Sequence, residues 1–132
     1  RIMIIPVGGS NAMGSLSYCL AAEEIYTQWK DAKRTMTSTH PLHVVVSSSS
    51  CGTAAGLIVG FAYLMEIHDD CHVKMYAVDV DGYNAEQRET IVRQKLLKLA
   101  QETATLCGLS LSKNSVEKCF KVMASPGGKY GE

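Results

Sequence analysis

The chain has 132 residues, a length that favours one domain with a substantial core. Its 13 basic and 13 acidic side chains cancel, so it lacks the positive surface of proteins that bind nucleic acids or anionic membranes. The most apolar segment, residues 53–65, is shorter than the ~20 residues that span a bilayer. Five dispersed cysteines with no C-x-x-C pair favour a reducing, cytoplasmic location.

The predicted elements alternate between strands and helices. Continuous apolar runs predict strands at residues 2–7 and 42–46, and further strands follow at 73–80 and 118–123. Helical periodicity predicts helices at residues 12–34, 52–67 and 85–107, the last ended by Gly108. Gly56 and Gly60 predict close packing of the second helix on a sheet. This order predicts an α/β fold, with a three-layer αβα arrangement and a mainly parallel sheet, in one domain spanning residues 1–132.

The junction between the second strand and the second helix is rich in hydroxyl groups. We call residues 47–53, which are four serines followed by Cys51, Gly52 and Thr53, the serine loop. In parallel sheets, ligands bind beyond the carboxyl ends of the strands, where this loop is expected. The first N–H groups of the following helix lack intrahelical partners and carry the positive end of its dipole. The pattern predicts a phosphate site, and the alternative is that the serines only cap the helix.

The serine loop does not match other motifs that bind or transfer phosphate. A Walker loop ends in Gly-Lys-Ser/Thr, which this sequence lacks, and a G-x-G-x-x-G fingerprint needs glycine at Ser48 and Ser50. Cys51 at a helix N-terminus has the setting of a nucleophile with a lowered pKa. However, Leu57 stands where the cradle of a cysteine phosphatase would place arginine. A small loop residue is therefore the simpler interpretation of Cys51.

Two further groups of residues are candidates for a role in binding. His68, Cys71 and His72 have the chemistry of metal ligands, but their place in an acidic helix-to-strand turn favours a solvated turn, so we predict no metal site. Tyr83 and Asn84 follow the third strand on the side where ligands are expected. We expect this pair to line a cleft.

Three segments together resemble one known family. They are residues 4–14 (IIPVGGSNAMG), residues 50–57 (SCGTAAGL) followed by Gly60, and residues 127–131 (GGKYG). The combination looks like the D-cysteine desulfhydrase and 1-aminocyclopropane-1-carboxylate deaminase family. These are pyridoxal-phosphate enzymes of fold type II, related to the tryptophan synthase β family. The similarity runs over nearly the whole chain, with the segments in the right order.

The resemblance implies pyridoxal 5′-phosphate as cofactor and assigns this chain one part of its site. The phosphate-binding motif of the family maps onto five consecutive residues: Ser49, Ser50, Cys51, Gly52 and Thr53. Ser49 stands where glycine is usual in the family. The resemblance also implies that the Schiff-base lysine lies upstream of Arg1 and that the groups around the pyridine ring lie beyond Glu132. We therefore expect no catalytic residue within the chain and no turnover by the chain alone.

The resemblance also sets expectations for the whole protein. We expect the chain to be an internal fragment of a lyase or deaminase that acts on a small amino acid and assembles as a homodimer or another oligomer. Two other interpretations of the residues stay open. One is a non-catalytic αβα domain that binds a phosphate ester or a nucleotide, and the other is a hydrolase or redox protein that uses Cys51.

Overall fold

The computed structural model describes residues 4–33 and 40–127. Its helices and strands alternate as the α/β prediction requires. In chain order they are α1 (Ala12–Lys33), β1 (Leu42–Ser48), α2 (Gly52–Ile67), β2 (Val73–Asp79), α3 (Ala85–Gln87), a π-helical segment (Arg88–Arg93), α4 (Gln94–Leu106), α5 (Lys113–Cys119) and β3 (Phe120–Ala124). Within these ranges, no helix combines the length and the hydropathy needed to cross a bilayer.

The three strands form one parallel sheet in the order β1-β2-β3. Met75 at its centre is aligned with Val44 of β1 and with Phe120 of β3, so these side chains share one face. That face joins α2 in the hydrophobic core. The α/β class and the parallel sheet are therefore confirmed.

The opposite face of the sheet is largely exposed. Val45 of β1 is 69% exposed and Met123 of β3 is 46% exposed, while the ring of His43 stacks on that of Tyr76 at 5.8 Å. Among the described residues, no second helical layer covers this face. The apolar run in β1 thus predicted the strand correctly, but the described residues cover one face of the sheet and not the two that were expected.

The strand predicted at residues 2–7 is wrong for the residues that the structure describes. Val7–Gly9 forms a 3-10 turn, and Ile4 and Val7 are 84% and 95% exposed. Pro6 has no N–H group to donate to a ladder, and Gly8 has a positive φ of 70°, which ends extended backbone. Residues 2 and 3 lie outside the described ranges.

The core is built around α2, which is buried on nearly all sides. Gly56 and Gly60 face α1 rather than the sheet, which corrects the sequence prediction. A Cβ atom added at Gly56 would lie 2.1 Å from the carbonyl oxygen of Ser15, and one at Gly60 would lie 2.5 Å from the Cβ of Ala22. The two glycines therefore allow backbone-close packing of α1 on α2.

The C-terminal part of the chain follows the prediction with one addition. The helix predicted at residues 85–107 is present but contains the π-helical segment, and Gly108 ends it with a φ of 68°. The short helix α5 was not predicted, and it includes Lys118 and Cys119, which the prediction placed in the last strand; that strand begins at Phe120. Ser112 caps it by accepting a hydrogen bond from the backbone N–H of Ser115 at 3.0 Å.

Candidate functional site

The serine loop lies at the carboxyl edge of the sheet, as predicted. Ser47 and Ser48 are the last residues of β1, while Gly52 and Thr53 begin α2. Ser48 is aligned with Asp79 at the end of β2, so the loops that follow β1 and β2 are neighbours. Ser49 is exposed and Ser50 and Thr53 are partly exposed, whereas Ser48, Cys51 and Gly52 are buried.

The start of α2 has backbone donors without side-chain partners. Cys51 is the N-cap residue and makes no side-chain capping hydrogen bond. The first hydrogen bond of the helix runs from the N–H of Ala55 to the carbonyl oxygen of Cys51 at 2.9 Å. The N–H groups of Gly52, Thr53 and Ala54 therefore have no intrahelical acceptor. The first turn also carries no acidic side chain, so the positive end of the helix dipole is not neutralised by its own helix.

The backbone of the serine loop turns sharply at Cys51. Its φ of 74° and ψ of −5° place it in the left-handed region, and it is the one non-glycine residue with a positive φ in the described ranges. This conformation costs a residue with a Cβ roughly 1–2 kcal/mol. The residue whose backbone conformation favours glycine is therefore Cys51. It is not Ser49, the position at which the family usually has glycine.

The thiol of Cys51 is held inside the turn. It is 3% exposed, it donates to the carbonyl oxygen of Ser49 at 3.4 Å, and it accepts from the hydroxyl of Ser48 at 3.5 Å. Burial raises the pKa of the Cys51 thiol, which outweighs the lowering by the Ser48 hydroxyl and by the ammonium group of Lys95. A raised pKa disfavours the thiolate, so the geometry opposes the interpretation of Cys51 as a nucleophile.

Two residues near the serine loop were missed by sequence reasoning. The Nζ atom of Lys95, on α4, donates to the carbonyl oxygen of Ser49 at 3.2 Å. The side chain of Ser10 lies against the start of α2, because a Cβ atom at Gly52 would lie 2.9 Å from the Ser10 Oγ. An exposed lysine on a helix gives no sequence signal of such a contact. The sequence placed Ser10 within a family motif, but it did not indicate which element Ser10 contacts.

The glycine turn brings two of the three family motifs together. A Cβ atom at Gly8 would lie 2.6 Å from the Oγ of Ser50, so the turn at residues 7–9 packs directly on the serine loop. Segments about 40 residues apart thus form one surface at the N-terminal end of α2. The third motif falls, from residue 128 onward, outside the described residues.

The neighbouring loop after β2 is closed by its own side chains. The carboxylate of Asp79, which is 1% exposed, accepts from the N–H groups of Asp81 at 3.0 Å and Tyr83 at 2.9 Å. Asn84 caps α3 by accepting from the N–H of Gln87 at 2.9 Å. Asn84 is thus engaged in helix capping, a role that differs from the cleft-lining role predicted for it.

The turn at residues 68–72 is tied to α1. Asp70 accepts from the hydroxyl of Tyr26 at 2.9 Å and pairs with Lys30 at 3.3 Å, and both partners lower its pKa. The ring of His68 stacks on that of Tyr26, while Cys71 is buried. Within the ranges that the structure describes, no three His, Cys, Asp or Glu side chains come together as metal ligands would.

Comparison with known proteins gives two informative relatives. A D-cysteine desulfhydrase of Yersinia enterocolitica is 37% identical over 110 residues, which cover 83% of this chain and 28% of that protein. A D-cysteine desulfhydrase of Klebsiella pneumoniae subsp. pneumoniae is 49% identical over 65 residues, which cover 49% of this chain and 18% of that protein. No protein-family model matches the chain. The chain thus spans less than a third of the length of these curated relatives.

Proposed function

We propose that the chain, which is similar in sequence to D-cysteine desulfhydrases, is the part of a pyridoxal-phosphate-dependent lyase that holds the phosphate of the cofactor. The observation that carries this proposal is the uncapped start of α2, where Gly52, Thr53 and Ala54 present N–H groups without an intrahelical acceptor. Such a helix start attracts anions through directed donors and through the helix dipole.

The composition of the site fits a phosphate group. Gly52 carries no side chain of its own, although it is buried and the side chain of Ser10 packs against it, and the hydroxyls of Ser50 and Thr53 belong to the same turn. Lys95 brings a positive charge to the carbonyl oxygen of Ser49. Asp79 and Asp81 act in the opposite direction, since both raise the pKa of the Cys51 thiol and would also repel an anion. The negative charge of Asp79 is partly offset by two backbone donors and by the guanidinium of Arg88.

The division of chemistry follows from this assignment. In enzymes of this kind, the cofactor supplies the electron sink for a carbanion next to nitrogen, while the protein supplies binding, orientation and proton transfer. We assign to Ser49, Ser50, Cys51, Gly52 and Thr53 the binding and orientation of the phosphate. We assign the Schiff-base lysine to another part of the whole protein, in line with the family motif.

The substrate proposed for the whole protein is D-cysteine, from which sulfide is eliminated. The names of both relatives favour this substrate over 1-aminocyclopropane-1-carboxylate, whose ring a deaminase would open. The dispersed free cysteines are consistent with a cytoplasmic enzyme. We expect borohydride reduction of the whole protein to trap the cofactor on a lysine that is not among those of this chain.

Exposed apolar side chains support a larger assembly. Ile4, Met13 and Val45 are between 66% and 84% exposed, which is costly for an isolated domain. We propose that other parts of the whole protein, or a second copy in a homodimer, cover them. Sedimentation of the whole protein as a monomer would contradict the homodimer.

Binding of a phosphate ester to the chain tests the proposal. Pyridoxine 5′-phosphate is the suitable probe because it lacks the aldehyde that reacts with surface lysines. Calorimetry should detect its binding, while pyridoxine without phosphate should bind far more weakly. Thr53→Val should weaken binding about 3- to 10-fold by removing one hydroxyl donor. Thr105→Val on the exposed face of α4 is the matched control and should leave the affinity unchanged.

The same titration separates the competing functions. Tighter binding of adenosine 5′-monophosphate than of pyridoxine 5′-phosphate would favour a nucleotide-binding domain. Equal affinities for pyridoxine and pyridoxine 5′-phosphate would contradict the proposal that the serine loop binds a phosphate group.

A further inference from the structure

A second candidate site lies on the far side of α2 from the sheet. A cavity of about 400 Å³ opens between α1, α2 and the end of α4. Its walls are mainly apolar, with contributions from Leu16, Leu20, Leu64, Ile67 and Leu109. Two thiols, those of Cys19 and Cys107, face the same space.

The fold brings these two thiols together from distant parts of the sequence. Gly60 lacks a side chain, so the backbone of Cys19 on α1 lies close to α2, with 2.7 Å between the Cys19 carbonyl oxygen and the position of an added Cβ. Cys107 is the C-cap residue of α4 and ends that helix beside the cavity. The Cys19 thiol donates to the carbonyl oxygen of Ser15 at 3.9 Å, and the Cys107 thiol is near enough to contribute to the raised pKa of Cys19.

The remaining cysteines lack this combination of pairing and access. All five cysteines are free and lie in the described ranges. Cys51 has no thiol neighbour among the groups that act on it, and it is 3% exposed. Cys71 and Cys119 interact with each other, but they are 3% and 1% exposed. Cys19 and Cys107 are both partly exposed, so only this pair joins two thiols at a surface that solvent reaches.

We propose that Cys19 and Cys107 form a redox modification site that reacts with a small disulfide, such as glutathione disulfide, and closes to an intramolecular disulfide. In the first step, one protein thiolate attacks a sulfur of the small disulfide, whose S–S bond breaks and releases one small thiolate. In the second step, the other protein thiolate attacks the mixed disulfide and releases the second small thiolate. The two protons lost by the protein are taken up by the small thiolates, and the cysteine pair loses two electrons to the small disulfide.

The acidity of the pair predicts how the reaction depends on pH. Burial, followed by the Cys107 thiol, raises the pKa of Cys19 to about 12. Glu23, Tyr63 and His68 face the same cavity from α1, α2 and the turn after α2. The raised pKa disfavours the Cys19 thiolate, as it does for Cys51, so closure should be slow at neutral pH. Because one of its steps needs the Cys19 thiolate, the rate should rise about tenfold per pH unit above neutral pH.

Mass spectrometry of the native chain after treatment with glutathione disulfide tests this inference independently of the proposed cofactor site. The expected product has lost two hydrogen atoms and gives one cross-linked peptide pair, containing Cys19 and Cys107, that separates on reduction. Cys107→Ser should abolish the cross-link and leave at most a mixed disulfide on Cys19. Cys71→Ser is the matched control and should leave the cross-link intact. A link between Cys71 and Cys119, or equal loss in both variants, would overturn the proposal.

Two further readouts cover the case of slow oxidation. Phenylarsine oxide binds pairs of adjacent thiols without oxidising them, so it should protect Cys19 and Cys107 together from alkylation. Absence of both the cross-link and this protection in the folded chain would overturn the proposal. The disulfide would close a loop of roughly 90 residues, and the oxidised chain should melt about 5–15 °C higher than the reduced chain.

Discussion

Two loops at the same edge of the sheet differ in how they cap the helix that follows them. The loop after β2 closes itself, because the buried carboxylate of Asp79 accepts from two backbone N–H groups and Asn84 and Gln87 form a capping box on α3. The serine loop after β1 leads into a helix with no side-chain cap and no acid in its first turn. The two loops are adjacent in the sheet, so they show two ways of dealing with the unpaired N–H groups at the start of a helix.

The difference is the reason for proposing the serine loop as the ligand site. Unpaired N–H groups at a helix start cost free energy unless water, a side chain or a ligand accepts from them. The loop after β2 provides its own acceptors, so it has little to offer an anion. The serine loop carries four serines and a threonine, yet none of them caps α2, which leaves the donors of α2 for an external acceptor.

Asp79→Ala should have the largest effect on stability. The change leaves two backbone donors and the guanidinium of Arg88 without their buried acceptor, and we expect a loss of about 3–5 kcal/mol in the free energy of unfolding. Urea denaturation measures this loss. Asp81→Ala, which removes an exposed carboxylate from the same loop, should cost less than about 0.5 kcal/mol. Similar costs for both variants would show that the loop after β2 is not closed by Asp79.

Replacing Cys51 tests the strained turn of the serine loop. Cys51→Gly and Cys51→Ala both remove the thiol, but only glycine adopts a φ of 74° without strain. The glycine variant should be more stable than the alanine variant by about 1–2 kcal/mol. At Cys107, where φ is −75°, the same pair of variants should show the reverse order, by about 0.5–1 kcal/mol. Thermal melting of the four variants checks both signs.

The two helix caps give the most direct contrast between the loops. Asn84→Ala removes a capping hydrogen bond from α3 and should cost about 1 kcal/mol. Ser50→Ala removes a hydroxyl one residue before Cys51, the N-cap of α2, where the structure has no side-chain cap, so it should cost a few tenths of a kcal/mol at most. Chemical denaturation with both variants at equal protein concentration measures the difference. Equal costs would mean that the serines do cap α2.

Thr53→Asp should have the smallest effect on stability and a large effect on binding. A carboxylate in the first turn of α2 supplies the missing negative charge and should stabilise the chain by about 0.3–1 kcal/mol at low salt. The helix dipole lowers the pKa of this carboxyl, so the gain should exist above the ordinary Asp pKa of about 4 and disappear as the pH falls below it. Binding of pyridoxine 5′-phosphate should be lost. Thr105→Asp, near the end of α4, should destabilise the chain instead.

The sequence was informative where local chemistry determines structure. The bounds of α2 were predicted correctly at Gly52 and Ile67, because a strand, a hydroxyl-rich loop and a long apolar segment follow one another without a competing signal. The same pattern located the serine loop at the carboxyl edge of the sheet. The family motifs identified the relatives that comparison then confirmed.

The sequence was least informative where structure depends on distant residues. The apolar run at residues 4–7 resembles a strand, but Pro6 cannot donate to a ladder and no described strand pairs with it. The contacts of Ser10 with Gly52 and of Lys95 with Ser49 arise only after α1 and α4 pack on α2. Likewise, buried and exposed positions alternate in β1 because the described residues cover one face of the sheet. A run of three valines does not predict this alternation.

Amide chemical shifts of the ¹⁵N-labelled chain during titration with pyridoxine 5′-phosphate give the most direct test of the central claim. If the start of α2 binds the phosphate group, the largest chemical-shift changes should occur at the amides of Gly52, Thr53 and Ala54, with smaller changes at the preceding serines. All of these changes should saturate at the same ligand concentration. The amides of Gln87 and Arg88 at the capped start of α3 should stay unchanged. Shifts confined to α3 or scattered over surface lysines, or no shifts at saturating ligand, would contradict the account.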